Sequence, residues 1–285
     1  MKAQSPFRYP GGKTRLLDKG IIQSIEQQRG GELTFVDACV GGGSVALAAV
    51  QRLGFRRLVL NDLDPFMASF WRVLLDQEST EQLAHIVSST HPSIEQFNTL
   101  RSQRAQEVAS DLDRAFHALF FNRTTFSGVR SGGPIGGPSQ KVRAHDDGDG
   151  KTYTVDCRWN APRLAGRLHS INSLFSSLDE VSVTQLPVWE LADEGLMYCD
   201  PPYVEKGDQL YPVSMTLADH GRLSEALLSR SHPWVLSYDN TPIVRQMYAS
   251  CSIQEIGAKY SIESKRWTGK RELIITPLDA YSGVV

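Results

Sequence analysis

An α/β fold with a mostly parallel sheet is predicted by three features of this sequence. Short apolar runs alternate with helical patterns near both ends of the chain. One run, "LTFVD" (33–37), passes through the glycine turn "ACVGGGS" into a helix and on to a second run, "RLVLND" (57–62), which makes a βαβ unit. Between the alternating ends, residues 78–177 read as helices around a glycine-rich loop. The expected organisation is one α/β domain formed by 1–77 and 178–285, carrying 78–177 as a largely helical insertion.

Taken in order, Arg15 to Arg29 places Leu16, Leu17, Ile21, Ile22 and Ile25 near helical spacing and stops at Gly30-Gly31, so one amphipathic helix is expected there. "SVALAAVQRLG" reads as a helix with Ser44 as N-cap and Gly54 past its end. Asp64-Pro65 sets a capping carboxylate before a proline at the first helical position. Residues 78–121 are expected to be helical, "DLDRAFHALFF" most clearly. From Asn122 to about Gly150 periodicity disappears, with seven glycines after position 127 and two prolines; so long a loop in a compact domain is functional or disordered. "APRLAGRLHSINSLFSSL" returns to helix, and "VSVTQL" and "LMYC" are strands. "TLADHGRLSEALLSR" carries a Thr216/Asp219 capping pattern, and "WVLSY", "SIQEIG" and "ELIITPL" close the chain as strands.

Bulk properties narrow the function classes. A hydrophobic fraction of 41% suits an ordinary globule, and no apolar run of about 18 residues predicts a membrane span. No signal-peptide core is visible at the N-terminus, and Cys39, Cys157, Cys199 and Cys251 lack C-x-x-C pairing, so reduced thiols and a cytoplasmic location are expected. The seven histidines show no metal-ligand spacing, and no metal is expected. Oligomeric state leaves no trace in the sequence. Net charge is −2, but residues 120–170 hold eight Lys/Arg against four Asp, so that segment is +4 and the remainder −6. A local basic region on an acidic body suits one face that meets phosphates.

The opening stretch "SPFRYPGGKTRLL" raises ATP binding, because Gly12-Lys13-Thr14 matches the tail of the loop G-x-x-x-x-G-K-[ST]. That loop needs a glycine where Phe7 stands and a preceding strand, for which the six residues before Phe7 leave no room. An NTPase is therefore set aside. Gly41, Gly43 and Ala46 instead fit G-x-G-x-x-[GA] after a strand, and Asp62 ends the next strand 19 residues after Gly43. Such glycines let backbone approach a ligand, and the carboxylate can accept from ribose hydroxyls. An adenosine-bearing cofactor follows, with NAD and S-adenosylmethionine both open at this point.

"YCDPPY" (198–203) distinguishes them. Asp200, Pro201, Pro202 and Tyr203 follow a strand, at the end where open α/β sheets bind ligands. The residue before a proline is held extended, and prolines fix φ and donate nothing. The result is a stiff corner offering the Asp200 side chain and the Pro201 carbonyl as acceptors, with Tyr203 as a flat wall. Two acceptors and a ring face suit a planar amine such as adenine N6.

"RYPGGK", "VDACVGGGSV", "LNDLDP" and "YCDPPY", in this order, resemble the D12-class (Dam-like, alpha-group) DNA adenine-N6 methyltransferases, and the likeness extends through "FFNRTTFSGV", "DQLYPVSMTLADHGRL", "WVLSYDNTP" and "KRELIIT". The resemblance implies a Rossmann-like S-adenosylmethionine-dependent methyltransferase fold, with 78–177 as the target-recognition region. S-adenosyl-L-methionine would be held by Tyr9, Gly12, Lys13, Asp37, Gly41, Gly43, Ser44, Asp62 and Asp200. Catalysis would fall to Asp200, Pro201, Pro202 and Tyr203, acting on N6 of an adenine flipped from double-stranded DNA. "NRTTFSGVRS" (122–131) is similar to the hairpin-like segment that touches DNA, so Arg123, Phe126 and Arg130 are DNA-binding candidates; Phe126 is read equally as a wedge into the stack or a buried anchor of the loop. A cognate restriction endonuclease is a further partner consistent with the resemblance. Ala38-Cys39 departs from the family's usual Pro-Phe, which bears on packing over the cofactor. A DNA-binding homologue without catalysis, and a methyltransferase acting on RNA or protein amides, remain as alternatives. Asp rather than Asn at position 200, with the basic loop, favours adenine in DNA.

Overall fold

Seven strands form one sheet in the order β3-β2-β1-β4-β5-β7-β6. They are β1 (Thr34–Asp37), β2 (Arg57–Asn61), β3 (Glu180–Thr184), β4 (Leu196–Cys199), β5 (Trp234–Asp239), β6 (Ser252–Gly257) and β7 (Arg271–Thr276). β3 through β5 run parallel, and β7 lies antiparallel between β5 and β6. The computed structural model describes residues 2–8, 13–103, 108–140, 153–204, 215–257 and 271–278. Tyr9, Gly12, the loop from 141 with Lys141, Arg143 and Lys151, and "DQLYPVS" (208–214) lie outside them. The chain divides into two units, Gly11–Asp64 with Leu178–Val285, and Met1–Pro10 with Pro65–Ser177.

The first unit holds the sheet. The run from β1 through helix α2 (Ser44–Leu53) to β2 goes one way across it, and β4 to β5 goes the other, so the order reverses between β1 and β4. A crevice at the carboxyl ends of those two strands follows from the topology alone. β1 and β4 are fully buried, as their apolar sequences require. Val36, Met197, Trp234, Leu236, Leu273 and Ile275 of the sheet pack on Leu223 and Leu227 of helix α8 (Leu217–Leu228) and on Val244 and Tyr248. The Thr216/Asp219 capping box opens α8 as expected. This is the α/β, Rossmann-like arrangement predicted.

Three local expectations are revised. Arg15 to Arg29 is not one helix: short 3-10 turns (Lys13–Arg15 and Leu17–Lys19) precede helix α1 (Ile21–Gln28). Gly20 between them has φ 145°, outside helical space, and an added Cβ would crowd Ile274 and Ile256. Ser44 is not the N-cap of α2; Gly43 is, at φ 67°, and Ser44 is the first helical residue. Helix α9 (Pro242–Met247) was not anticipated, although Thr241 caps it and its first residue is proline.

The second unit is helical: α3 (Pro65–Val73), α4 (Gln77–Ser89), α5 (Ile94–Ser102), α6 (Asp111–Thr124) and α7 (Ala161–Phe175). α4 and α5 part where Thr90 turns extended ahead of His91-Pro92, and Ser93 caps the restart. Edge-to-face pairs Phe70–Trp71 and Phe97–Phe121 fill the interior, and Phe7 joins it on Phe70 at 4.5 Å. After α6 the chain folds back as a small hairpin: Thr125 bridges Pro134, Phe126 N donates to Gly133 O and Ile135 N to Thr124 O. Among the described residues no helix is long and apolar enough to cross a membrane, and no His/Cys/Asp/Glu group could hold a metal ion.

Two glycines test the packing. Gly195 leads into β4 at φ 56°, and a Cβ there would stand 2.6 Å from the Thr34 carbonyl oxygen. Gly195→Ala is expected to destabilise by about 2–3 kcal/mol in urea titration, because strain of about 1–2 kcal/mol adds to a backbone clash. Gly221 lies inside α8 with open space around it, so Gly221→Ala should stabilise by about 0.5–1 kcal/mol.

Candidate active site

The crevice that the topology requires is lined by carboxyl groups. β1 ends in Asp37, β2 is followed by Asp62 and β4 by Asp200. Asp37 is buried; its Oδ2 accepts from Ala46 N at 3.2 Å in the first turn of α2, and its Oδ1 is buried with no hydrogen-bond partner. Asp37 thus serves the open helix end that Ser44 was expected to cap. Asp62 accepts from Gly41 N at 2.9 Å through Oδ2 and from Asp64 N at 3.0 Å through Oδ1. Gly41 and Gly43 sit at φ 43° and 67°, the left-handed conformation that brings backbone to the rim without side chains. Ser44 Oγ accepts from Thr14 Oγ1 at 3.0 Å.

A buried ion cluster locks the corner after β4. The Lys13 ammonium, 3% exposed, lies 2.7 Å from Asp200 Oδ1 and 3.0 Å from Glu272 Oε1, and donates to Tyr203 Oη at 2.9 Å. Tyr203 in turn donates to Glu272 Oε1 at 3.0 Å. Glu272 is 1% exposed, whereas Asp200 keeps 20% of its side chain open. Pro201 is buried, and Pro202 and Tyr203 are half-buried. Lys13 therefore stands on the Asp200 carboxylate. Glu272 was missed at the sequence level, since inside "ELIITPL" it reads as an ordinary strand residue; a lone charge in an otherwise apolar strand was the available signal.

Electrostatics follow from burial. Loss of solvent, then the nearby Asp200 charge, pushes the Asp37 carboxyl up to about 8, against the helix N–H that favours ionisation. Burial and then Asp64 raise Asp62 to about 7, opposed by its two backbone donors. Asp200 is raised by burial, with Lys13 pulling it back down and Glu272 adding to the rise. Burial makes each of these carboxyls reluctant to ionise, and a cation brought beside them would favour their charged forms.

Cys39, where the resemblance marked a departure, packs against the sheet core. The DNA-binding candidates all belong to the helical unit. Arg123 turns inward: its guanidinium donates to the Pro6 carbonyl, and burial, then Arg167 and three further arginines, lowers it to about 10. Phe126 is 72% exposed, which removes the buried-anchor alternative. Arg130 lies over the Phe66 ring at 3.9 Å.

A sequence model of the family described as D12 class N6 adenine-specific DNA methyltransferase matches residues 9–262. The DNA N-6-adenine-methyltransferase of Escherichia phage P1 is 29% identical over 127 residues, 44% of this chain but only 16% of the phage protein's length. Type II methyltransferase M.MjaIII of Methanocaldococcus jannaschii is 21% identical over 96% of this chain and 99% of its own. Among solved structures, an rRNA methyltransferase, aviRa, from Streptomyces viridochromogenes overlaps 95% of this chain and 88% of its own at 13% identity, with a TM-score of 0.43, too loose to carry an argument.

The raised carboxyls set a pH signature. Between about pH 4 and the folded values of about 8 and 7, the folded chain holds protons on Asp37 and Asp62 that the unfolded chain has released. Stability must therefore fall as pH rises through that window, by at most about 1.4 kcal/mol per pH unit for each group. Asp37→Asn is expected to flatten the fall in Tm between pH 5 and 8; an unaltered slope would show that Asp37 ionises normally.

Proposed function

From membership of the D12 class of N6 adenine-specific DNA methyltransferases, to which this chain belongs, we propose that it methylates adenine N6 in double-stranded DNA with S-adenosyl-L-methionine as donor. The observation that carries the reading is the Asp200 corner, part open to solvent and clamped by Lys13, at the same strand ends as the buried Asp37 and the half-buried Asp62. The residues fit this donor better than a dinucleotide. An unpartnered Asp37 oxygen and three carboxyls with raised pKa favour a ligand bearing ammonium and sulfonium charges, whereas a pyrophosphate would be repelled. Asp37, the Gly41 to Gly43 backbone and Asp62 would hold it, with Asp62 turned to the ribose; Tyr9 and Gly12 remain candidates by resemblance. When bound, S-adenosylmethionine supplies an electrophilic methyl group.

The chain's own task is to position the nucleophile. An adenine amine is a poor one because its lone pair is delocalised into the ring. Accepting both N6 hydrogens, on Asp200 and on the Pro201 carbonyl, favours a pyramidal nitrogen with a directed lone pair. Lys13 keeps Asp200 ionised in spite of burial, so it serves as acceptor. Tyr203, held through its hydroxyl by Glu272, offers a fixed face for the flipped base and offsets part of the few kcal/mol that unstacking costs. Alignment of this kind can contribute about 7–11 kcal/mol. Phe126 and Arg130, in the hairpin, would engage the duplex, with Phe126 as the wedge.

The test is transfer of labelled methyl from S-adenosylmethionine to mixed-sequence duplex DNA, RNA and protein, followed by nucleoside analysis. Label in N6-methyladenine of DNA is expected; label only in RNA or protein overturns the reading. Asp200→Ala should lower transfer at least about 10²–10³-fold with a folded chain. Glu272→Gln should lower kcat about tenfold with little change in donor binding, since it loosens Tyr203 and leaves Lys13 leaning on Asp200 alone.

A further inference from the structure

We propose that Arg8, Arg123, Arg158, Arg163 and Arg167 form a clamp for consecutive backbone phosphates of duplex DNA. The proposal rests on the DNA reading above and deepens it, extending a phosphate-holding surface from Arg123 of the 122–131 segment to Arg8, Arg158, Arg163 and Arg167.

Arg8 lies in the N-terminal segment, Arg123 in the last turn of α6, Arg158 in the turn before α7, and Arg163 and Arg167 on the first half of α7. Their framework is tied down. Asn122 Oδ1 accepts from Arg8 N at 2.7 Å, and Asn122 Nδ2 donates to Arg8 O at 2.7 Å and to Gly128 O at 3.1 Å. Gly128 sits at φ 77° with the Arg8 carbonyl so close that a Cβ would fall 2.4 Å from it. Arg167 donates to Ser5 O at 2.7 Å and to Gln4 Oε1 at 3.1 Å, and Arg123 donates to Pro6 O. The Arg123 and Arg167 guanidinium groups are thus anchored to the 4–6 backbone and side chains beside Arg8.

Their charge is uncompensated. Among the described residues none of the five forms an ion pair with a carboxylate, whereas Arg52, Arg56, Arg72 and Arg245 do. Beyond burial, the groups that act most strongly on Arg123 are Arg167, Arg8, Arg163 and Arg158, all repelling it. One nitrogen of Arg8 and one of Arg123 are buried without an acceptor. An anion set among these mutually repelling guanidinium groups relieves that repulsion. Guanidinium forks match phosphate oxygens in pairs. Five such groups spread over three segments exceed what a single small anion needs and suit a repeating phosphate chain.

Binding of the full chain to a mixed-sequence DNA duplex, followed by anisotropy from 50 to 200 mM NaCl, reads the number of phosphates engaged. Arg158 and Arg163 are exposed, so Arg158→Gln with Arg163→Gln spares the tied framework. Loss of two contacts lowers the salt slope by about 1.8, and wild type should then lose about twelvefold more affinity than the double variant over that range. Lysine at both positions should restore the slope. Arg56→Gln with Arg245→Gln removes the same charge elsewhere and should leave it unchanged. A slope unaltered in the Arg158/Arg163 variant, or lowered equally by the control pair, overturns the clamp even where wild type methylates DNA. Altered binding to duplex RNA alone also overturns it, in favour of an RNA partner. Failure of the broader reading shows separately, as absence of labelled methyladenine from wild type.

Discussion

The interaction on which the site depends is a lysine ammonium buried between two carboxylates. Lys13, Asp200, Tyr203 and Glu272 come from the first turn of the sheet unit, the end of β4 and the antiparallel β7, and only the folded chain brings Lys13 within 3.0 Å of the other three. Taking such a charge from water costs several kcal/mol, and removing one partner of a buried pair costs about 3–5 kcal/mol because the remainder is left uncompensated. The arrangement is therefore a poor way to stabilise a fold and a good way to fix geometry. Glu272 sets the Tyr203 hydroxyl, Lys13 sets Asp200, and the two prolines between them allow almost no torsional slack.

Charge is sorted between the two units. The sheet unit gathers buried carboxyls at the reversal of strand order, and the helical unit gathers arginines around the end of α6 and the start of α7. A net charge of −2 conceals this separation, which the count of +4 over residues 120–170 already hinted at. In the proposed reading each accumulation meets a partner from outside, a cationic donor for one and a polyanion for the other.

What the sequence made legible was whatever is written locally. The apolar runs became strands, the Thr216/Asp219 box capped its helix, and the spacing of Gly41, Gly43 and Asp62 delivered a glycine turn whose amide meets that carboxylate. The revisions came where a distant residue decides. Ser44 looked like a cap because Asp37, which actually serves that helix end, lies in the preceding strand. The helix from Arg15 broke at Gly20, whose conformation is tied to packing near Ile256 and Ile274. Lys13 and Glu272 are separated by nearly the whole chain, and no periodicity couples them. Arg8 joins the arginine group only because Asn122 holds its backbone.

The same constraint decides between two chemistries for Asp200. A general base would need a carboxyl free to take a proton and would gain from a raised pKa. Burial supplies the rise, but Lys13 opposes it from 2.7 Å, spending the desolvation on keeping the group charged. A carboxylate so held, raised only to about 6, stays ionised near neutral pH and offers an immobile hydrogen-bond acceptor. That suits an amine whose difficulty is orientation of its lone pair, since the methylated ammonium is acidic enough to lose its proton without help. In the proposed reading, the placement of Lys13 suits catalysis by alignment, with Asp200 as a fixed acceptor.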